Sequence, residues 1–200
     1  MAKVAAVILA AGGSSRFGKP KQLIELRGKT LLGRILDSAT EANCSPIVVV
    51  IGNALLEVRK QLETTNVTIV ENENWQRGIG TSIRTGVQYV INHMPATDAI
   101  VLLVCDQPFV DAALIKQLIA LRAQTQKAII ASNYADTLGV PGLFDRSCFQ
   151  ELLELDDASG AKIIILSNPE RVAELLFPEG KIDIDTIEDW KKFETLLRST

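Results

Sequence analysis

Five short apolar runs constrain this chain more than any other feature: Val4 to Leu9, "IVVVIG" after Pro46, "VTIV" at Val67 to Val70, "AIVLLV" ahead of Cys105, and "AIIAS". The first two read as strands buried on both faces, the fourth is the most hydrophobic, and the third and fifth read as strands. Helical spacing fills the gaps between them. Leu31, Leu32, Ile35, Leu36 and Ala39 form one apolar stripe. Leu55, Leu56, Val58 and Leu62 form a second, Ile83, Val87, Val90 and Ile91 a third, and Leu114, Ile115, Leu118 and Leu121 a fourth. Thr30 and Asp111 stand where helix N-caps belong. Strand and helix therefore alternate to about residue 132, which predicts an α/β fold: a Rossmann-like, mostly parallel sheet flanked by helices on both faces. The remainder is less regular. "GVPGLFDRSCFQELLEL" reads as an extended piece and a helix, and "DDASGAKIIIL" as an acidic turn and a helix. "AELLF" and "KIDIDT" read as short strands, and the last helix as Ile187 to Arg198. No linker or repeat divides the chain, so residues 1–200 read as one domain.

In such sheets ligands bind beyond the carboxyl ends of the strands. Directly after the first run comes "LAAGGSSRFGKPKQL", with glycines, serines and cations packed together. Backbone N–H groups and cations at a strand end mark a phosphate site. The dinucleotide fingerprint fails because Gly12 and Gly13 are adjacent and Gly18 comes too late. The P-loop pattern fails at Pro20, which has neither a hydroxyl for magnesium nor an amide N–H for the helix. The loop is an anion cradle of a third kind. Arg16 brings a planar fork and Lys21 a movable point charge; solvated loop cations are the alternative.

Asp106 ends the most hydrophobic run, ahead of Gln107 and Pro108. It is either a loop cap or a hard oxygen ligand for Mg2+ beside a triphosphate. A second glycine loop, "NENWQRGIGTS", holds Gly78, Gly80, Thr81 and Ser82. It can cap the next helix through Thr81 or Ser82 and also let the backbone approach a base or ribose. In "DIDTIED", alternation along a strand sets Asp183 and Asp185 on one face and Ile182 and Ile184 on the other. Asp185 is then a second metal contact, or the segment is a polar edge followed by an N-cap at Thr186. Trp75 and Tyr134 can stack on an aromatic ligand or simply pack. His93, the only histidine, falls at a helix end and forms no catalytic triad.

A net charge of −3 gives no broad nucleic-acid surface. No apolar run reaches membrane-spanning length. Cys44, Cys105 and Cys148 are too far apart for a zinc site or a disulfide framework, which suits a reducing compartment. Met1-Ala-Lys leads straight into the first strand without the pattern of a secretory leader, so the expected location is cytoplasmic.

The first loop resembles the signature L-A-A-G-x-S-x-R-x-G-x-x-K of the MobA-like NTP transferase superfamily. Leu9, Ala10, Ala11, Gly12, Ser14, Arg16, Gly18 and Lys21 carry the match. "GIGTS", "CDQP", "GVPGLF", "DDASGAK" and "DIDTIED" follow in order, and the whole is similar to the MocA-like molybdenum cofactor cytidylyltransferases. The resemblance implies a nucleotidyltransferase fold, and transfer of CMP from CTP to the terminal phosphate of molybdopterin or its molybdenum form, with Mg2+ and release of pyrophosphate. It implies Arg16, Lys21 and Asp106 as catalytic residues and Asp106 as a metal ligand, with Asp185 the second metal contact on the reading of "DIDTIED" above. It implies nucleotide binding by Leu9, Ala10, Ala11, Gly12, Gly13, Ser14, Arg16, Lys21, Gly78, Gly80, Thr81 and Ser82, and acceptor binding by Lys162. A molybdoenzyme or its chaperone is the expected recipient of the product. Other readings are a relative using GTP, methylerythritol phosphate or a sugar phosphate, and a non-catalytic cofactor carrier.

Overall fold

Residues 2–12, 20–52, 56–63 and 65–198 are described by a computed structural model of the chain. In chain order the elements are β1 (Val4–Leu9), β2 (Glu25–Leu26), β3 (Lys29–Thr30), α1 (Leu31–Glu41), β4 (Ile47–Gly52), α2 (Leu56–Leu62), β5 (Thr68–Asn72) and α3 (Ile79–His93). They continue with β6 (Ala99–Val104), α4 (Ala112–Thr125), β7 (Ile129–Tyr134), β8 (Thr137–Asp145), α5 (Phe149–Leu153), α6 (Lys162–Ser167), β9 (Val172–Leu176) and α7 (Ile187–Arg198). A seven-stranded sheet has the order β5-β4-β1-β6-β8-β7-β9. β1 pairs in parallel with β4 and β6, β4 with β5, and β7 with β9. Only β8 runs against its neighbours.

Side chains of each buried strand go alternately to two cores, which is why its sequence does not alternate. Val49, Ile51, Val101 and Leu103 face one core with Leu32, Ile35 and Leu36 of α1 and Leu114, Ile115 and Leu118 of α4. Val48, Val50, Ile100 and Leu102 face the other with Ile83, Val87 and Val90 of α3, Leu152 of α5 and Ile164 and Ile165 of α6. Each such side chain contributes roughly 1.5–3 kcal/mol when buried, so tertiary packing rather than propensity holds these helices. The expected caps form: Thr30 Oγ1 accepts the Gly33 amide at 2.9 Å, and Asp111 Oδ1 the Leu114 amide at 2.8 Å.

Three expectations change. Leu55 of the expected second apolar stripe lies outside the described residues and Leu56 is 67% exposed, so in α2 it is Val58 and Leu62 that reach the core. The second glycine-loop helix starts at Ile79 with Gly78 as its cap, so Thr81 and Ser82 lie inside it. "KIDIDT" is no strand. Lys181 ends a 3-10 turn and residues 182–185 pair with no ladder, because Ile182 and Ile184 pack instead on a third cluster with Ile24, Leu26, Leu31 and Phe193. That cluster joins α7 to the β2–β3 hairpin just past the first glycine loop.

Candidate active site

β1 and β6 are adjacent and parallel, so Ala10, Ala11 and Gly12 leave the sheet beside Cys105 and Asp106. The chain returns at Lys21 in a short 3-10 turn. Gln22 in that turn is buried, and its Nε2 donates to the carbonyls of Ala10 at 2.8 Å and Gly12 at 2.9 Å. One buried amide thus ties the two ends of the glycine loop together. Sequence reasoning passed over Gln22; its position directly after Lys21 was the only signal.

The Lys21 ammonium lies 2.6 Å from Asp106 Oδ2 and 2.9 Å from Asp185 Oδ1. Burial pulls its pKa down, but the facing carboxylates, Asp106 foremost, outweigh that and hold it above the usual lysine value. Asp185 arrives because the Ile184 amide donates to the Asp106 carbonyl at 2.9 Å. Gln107 Nε2 adds a bond to the Gly180 carbonyl at 3.1 Å. Asp183, two residues earlier, is pushed up to about 6, first by lost hydration and then by repulsion from Asp106 and Asp185. Burial also raises the Cys105 thiol, which disfavours its nucleophilic thiolate form.

Beside this group opens a cavity of about 290 Å³, lined by Leu9, Ala11, Gly12, Lys21, Gln22, Trp75, Gln76, Gly78, Ile79, Ser82, Val104, Cys105 and Asp106. Its far wall is the second glycine loop. Asn72 at the end of β5 donates to Thr81 Oγ1 at 2.8 Å and Ser82 Oγ at 2.9 Å. Thr81 Oγ1 in turn donates to the Gly78 carbonyl at 2.7 Å. The segment 155–161 presses on this loop from outside. The Gly80 amide donates to the Asp157 carbonyl at 2.9 Å, and Arg77 and Arg84 both pair with the Asp157 carboxylate. Gly78 has φ +137°, and a Cβ on Gly80 would lie 2.0 Å from the Asp156 carbonyl oxygen; both positions exclude side chains.

Residues 6–172 match the family model of the MobA-like NTP transferase domain. The chain belongs to that family. This family member is 25% identical over 194 residues to the molybdenum cofactor cytidylyltransferase of Escherichia coli, covering 95% of each chain. It is 33% identical over 181 residues to the bifunctional protein GlmU of Neisseria meningitidis, covering 88% of this chain. It spans only 28% to 38% of the length of the GlmU proteins it matches. Among solved structures, Rv0371c of Mycobacterium tuberculosis superposes with a TM-score of 0.82 at 32% identity over 96% of both chains. A second structure of that protein, in complex with manganese, gives 0.74 at 30% identity and covers 99% of this chain and 100% of that one. The enzymes of this family move nucleotidyl groups from nucleoside triphosphates.

Of the site residues expected for this MobA-like transferase, the fold brings Lys21, Asp106 and Asp185 into direct contact. It sets Leu9, Ala11, Gly12, Gly78 and Ser82 around the adjoining cavity. Ala10 is buried behind it, and Thr81 spends its hydroxyl inside the loop. Trp75 lines the cavity, whereas Tyr134 donates to the Val140 carbonyl at 3.0 Å and packs on Phe177. Lys162 is exposed at the start of α6, directly after the segment that covers Gly78 and Gly80. Gly13, Ser14 and Arg16 lie outside the described residues. No helix among the described residues is long and apolar enough to cross a membrane.

Proposed function

We propose that this chain transfers CMP from CTP to the terminal phosphate of a molybdopterin-type acceptor and releases pyrophosphate. The observation that carries this reading is the junction of Lys21, Asp106 and Asp185 at the mouth of a cavity built from two glycine loops. The Escherichia coli relative supports the choice of nucleotide and acceptor, because the similarity runs through 95% of both chains. An acceptor phosphate oxygen attacks the α-phosphorus of the nucleotide. A new P–O bond forms, the bond to the bridging oxygen of the β-phosphate breaks, and that oxygen leaves with the pyrophosphate.

The donor set fits a magnesium ion. Asp106 and Asp185 are hard oxygen donors that already share one cation, the Lys21 ammonium. Magnesium at a phosphoryl-transfer site is typically held by one or two carboxylates plus substrate phosphates. Asp106 and Asp185 would hold the ion, which would supply charge neutralisation where two polyanions meet. Lys21 steadies charge on the leaving pyrophosphate, and Arg16 on the same loop serves the triphosphate. The amides at Ala11 and Gly12 and the loop from Gly78 to Ser82 seat the nucleoside, and Lys162 meets the acceptor phosphate. No covalent intermediate is required. Such a reaction belongs in the cytoplasm, with a molybdoenzyme or its chaperone receiving the product.

The test is pyrophosphate release from CTP, GTP, UTP and ATP, each with molybdopterin, methylerythritol phosphate or a hexose 1-phosphate. Release from CTP with molybdopterin is the expected result. Release with a different pair reassigns the acceptor or the base, and molybdopterin binding without release from any pair makes the chain a carrier.

A further inference from the structure

The Lys21 ammonium stands between the same two carboxylates that are suited to a divalent ion, 2.6 Å from Asp106 Oδ2 and 2.9 Å from Asp185 Oδ1. We propose that Lys21 is the resident counter-cation of this pair in the nucleotide-free protein. It competes there with the divalent ion, and an incoming triphosphate draws it away. The inference rests on the proposed function only in taking a nucleoside triphosphate as the ligand.

The carboxylates of Asp106 and Asp185 share this one ammonium. Without a positive charge the carboxylates of Asp106 and Asp185 would repel one another and splay. Lys21, only 16% exposed, closes the gap before any ligand arrives. An ammonium and a divalent ion at the same carboxylate pair repel each other, so each weakens the other's binding. Lys21 sits on a flexible four-carbon stem at the exit of an anion-binding loop. Phosphate oxygens offer it an equivalent partner, so its transfer to a triphosphate leaves the carboxylates open. Nucleotide and metal then strengthen each other's binding, and linkage makes that effect reciprocal.

The test is manganese titration followed by the electron paramagnetic resonance of the free ion, on the intact protein without acceptor. Lys21→Met keeps the stem and removes the charge; Lys21→Arg restores the charge; Lys29→Gln removes a lysine that pairs with Asp37 at the surface, remote from the site. A neighbouring charge at this range changes the affinity of a carboxylate for a cation by about tenfold or more. Without nucleotide, Lys21→Met should therefore bind manganese about tenfold more tightly than wild type, with Lys21→Arg and Lys29→Gln close to wild type. Adding α,β-methylene-CTP should strengthen manganese binding in wild type far more than in Lys21→Met. Unchanged or weaker binding by Lys21→Met, no binding by either protein, or an equal nucleotide effect in both would overturn the inference. No turnover is read, so a failed acceptor panel leaves this result standing, and a failed titration leaves the acceptor panel standing.

Discussion

The main-chain carbonyl of Asp106 accepts the Ile184 amide at 2.9 Å. This one bond joins the end of β6 to a segment far along the chain, and it sets the Asp185 carboxylate beside that of Asp106. The partner of the bond is pinned by its side chain, since Ile184 is fully buried with Ile24, Leu26 and Phe193. A patch of apolar packing thereby determines the spacing of two charges.

Asp106→Asn and Asp185→Asn should both raise the magnesium concentration needed for half-maximal turnover. Asp106 is the more enclosed of the two, 24% exposed against 54%, so its loss should cost more. A loss on the order of 100-fold or more in kcat is expected for Asp106→Asn, since charge neutralisation at a phosphoryl centre contributes several kcal/mol. Magnesium titrations of turnover, with thermal melts as the fold control, check this. Near-normal turnover by Asp106→Asn at saturating magnesium would remove it from the site.

Gly80→Ala should damage the cavity wall built by the second glycine loop, which the proposed function gives to the nucleotide. Its methyl would meet the Asp156 backbone at 2.0 Å, so the segment 155–161 must shift, at a cost of about 1–3 kcal/mol. Gly160→Ala is the matched control, because its nearest neighbour is Ile79 at 3.8 Å. Thermal melts and nucleotide titrations should show both stability and affinity falling in the first variant and neither in the second.

Asp145 provides an acid-sensitive contact away from the site. Burial alone would raise its pKa, but the Ser147 amide at 3.0 Å and the Arg122 guanidinium outweigh burial and depress it. A depressed carboxylate contributes stability above its unfolded pKa, about 3.9, and loses it as pH falls through the lower folded value. Asp145→Asn should lower Tm at neutral pH, with the difference from wild type shrinking below about pH 4. A constant difference across that range would show that packing alone is lost.

Ala11 bears on base choice. It is buried and lines the cavity, so its methyl takes up space in the cavity that the proposed function gives to the nucleoside. One carbon discriminates by roughly 1–3 kcal/mol, which should favour cytosine over guanine without setting the preference alone. Ala11→Gly should narrow the ratio of kcat/KM for CTP to that for GTP. A wild-type ratio favouring GTP would reject the cytidylyl reading.

By itself the sequence determined the layers of the fold and the ends of the strands. Unbroken apolar runs and helical stripes are local patterns, and the physics that reads them, burial on both faces, is the same wherever they occur. The capping of α7 was legible for the same reason: Thr186 and Asp189 bond each other's amides at 3.1 and 3.0 Å within one turn. The β7–β8 hairpin was not legible. Its two-residue turn places Ala135 and Asp136 at φ +49° and +58°, a conformation usually signalled by asparagine or glycine. "KIDIDT" alternates like a strand, yet its buried residues reach a side cluster rather than a sheet edge. Only the tertiary structure decided that Lys21 would stand between Asp106 and Asp185. Residues so distant in sequence meet through strand order and the burial of Ile184, and neither is written in any local pattern.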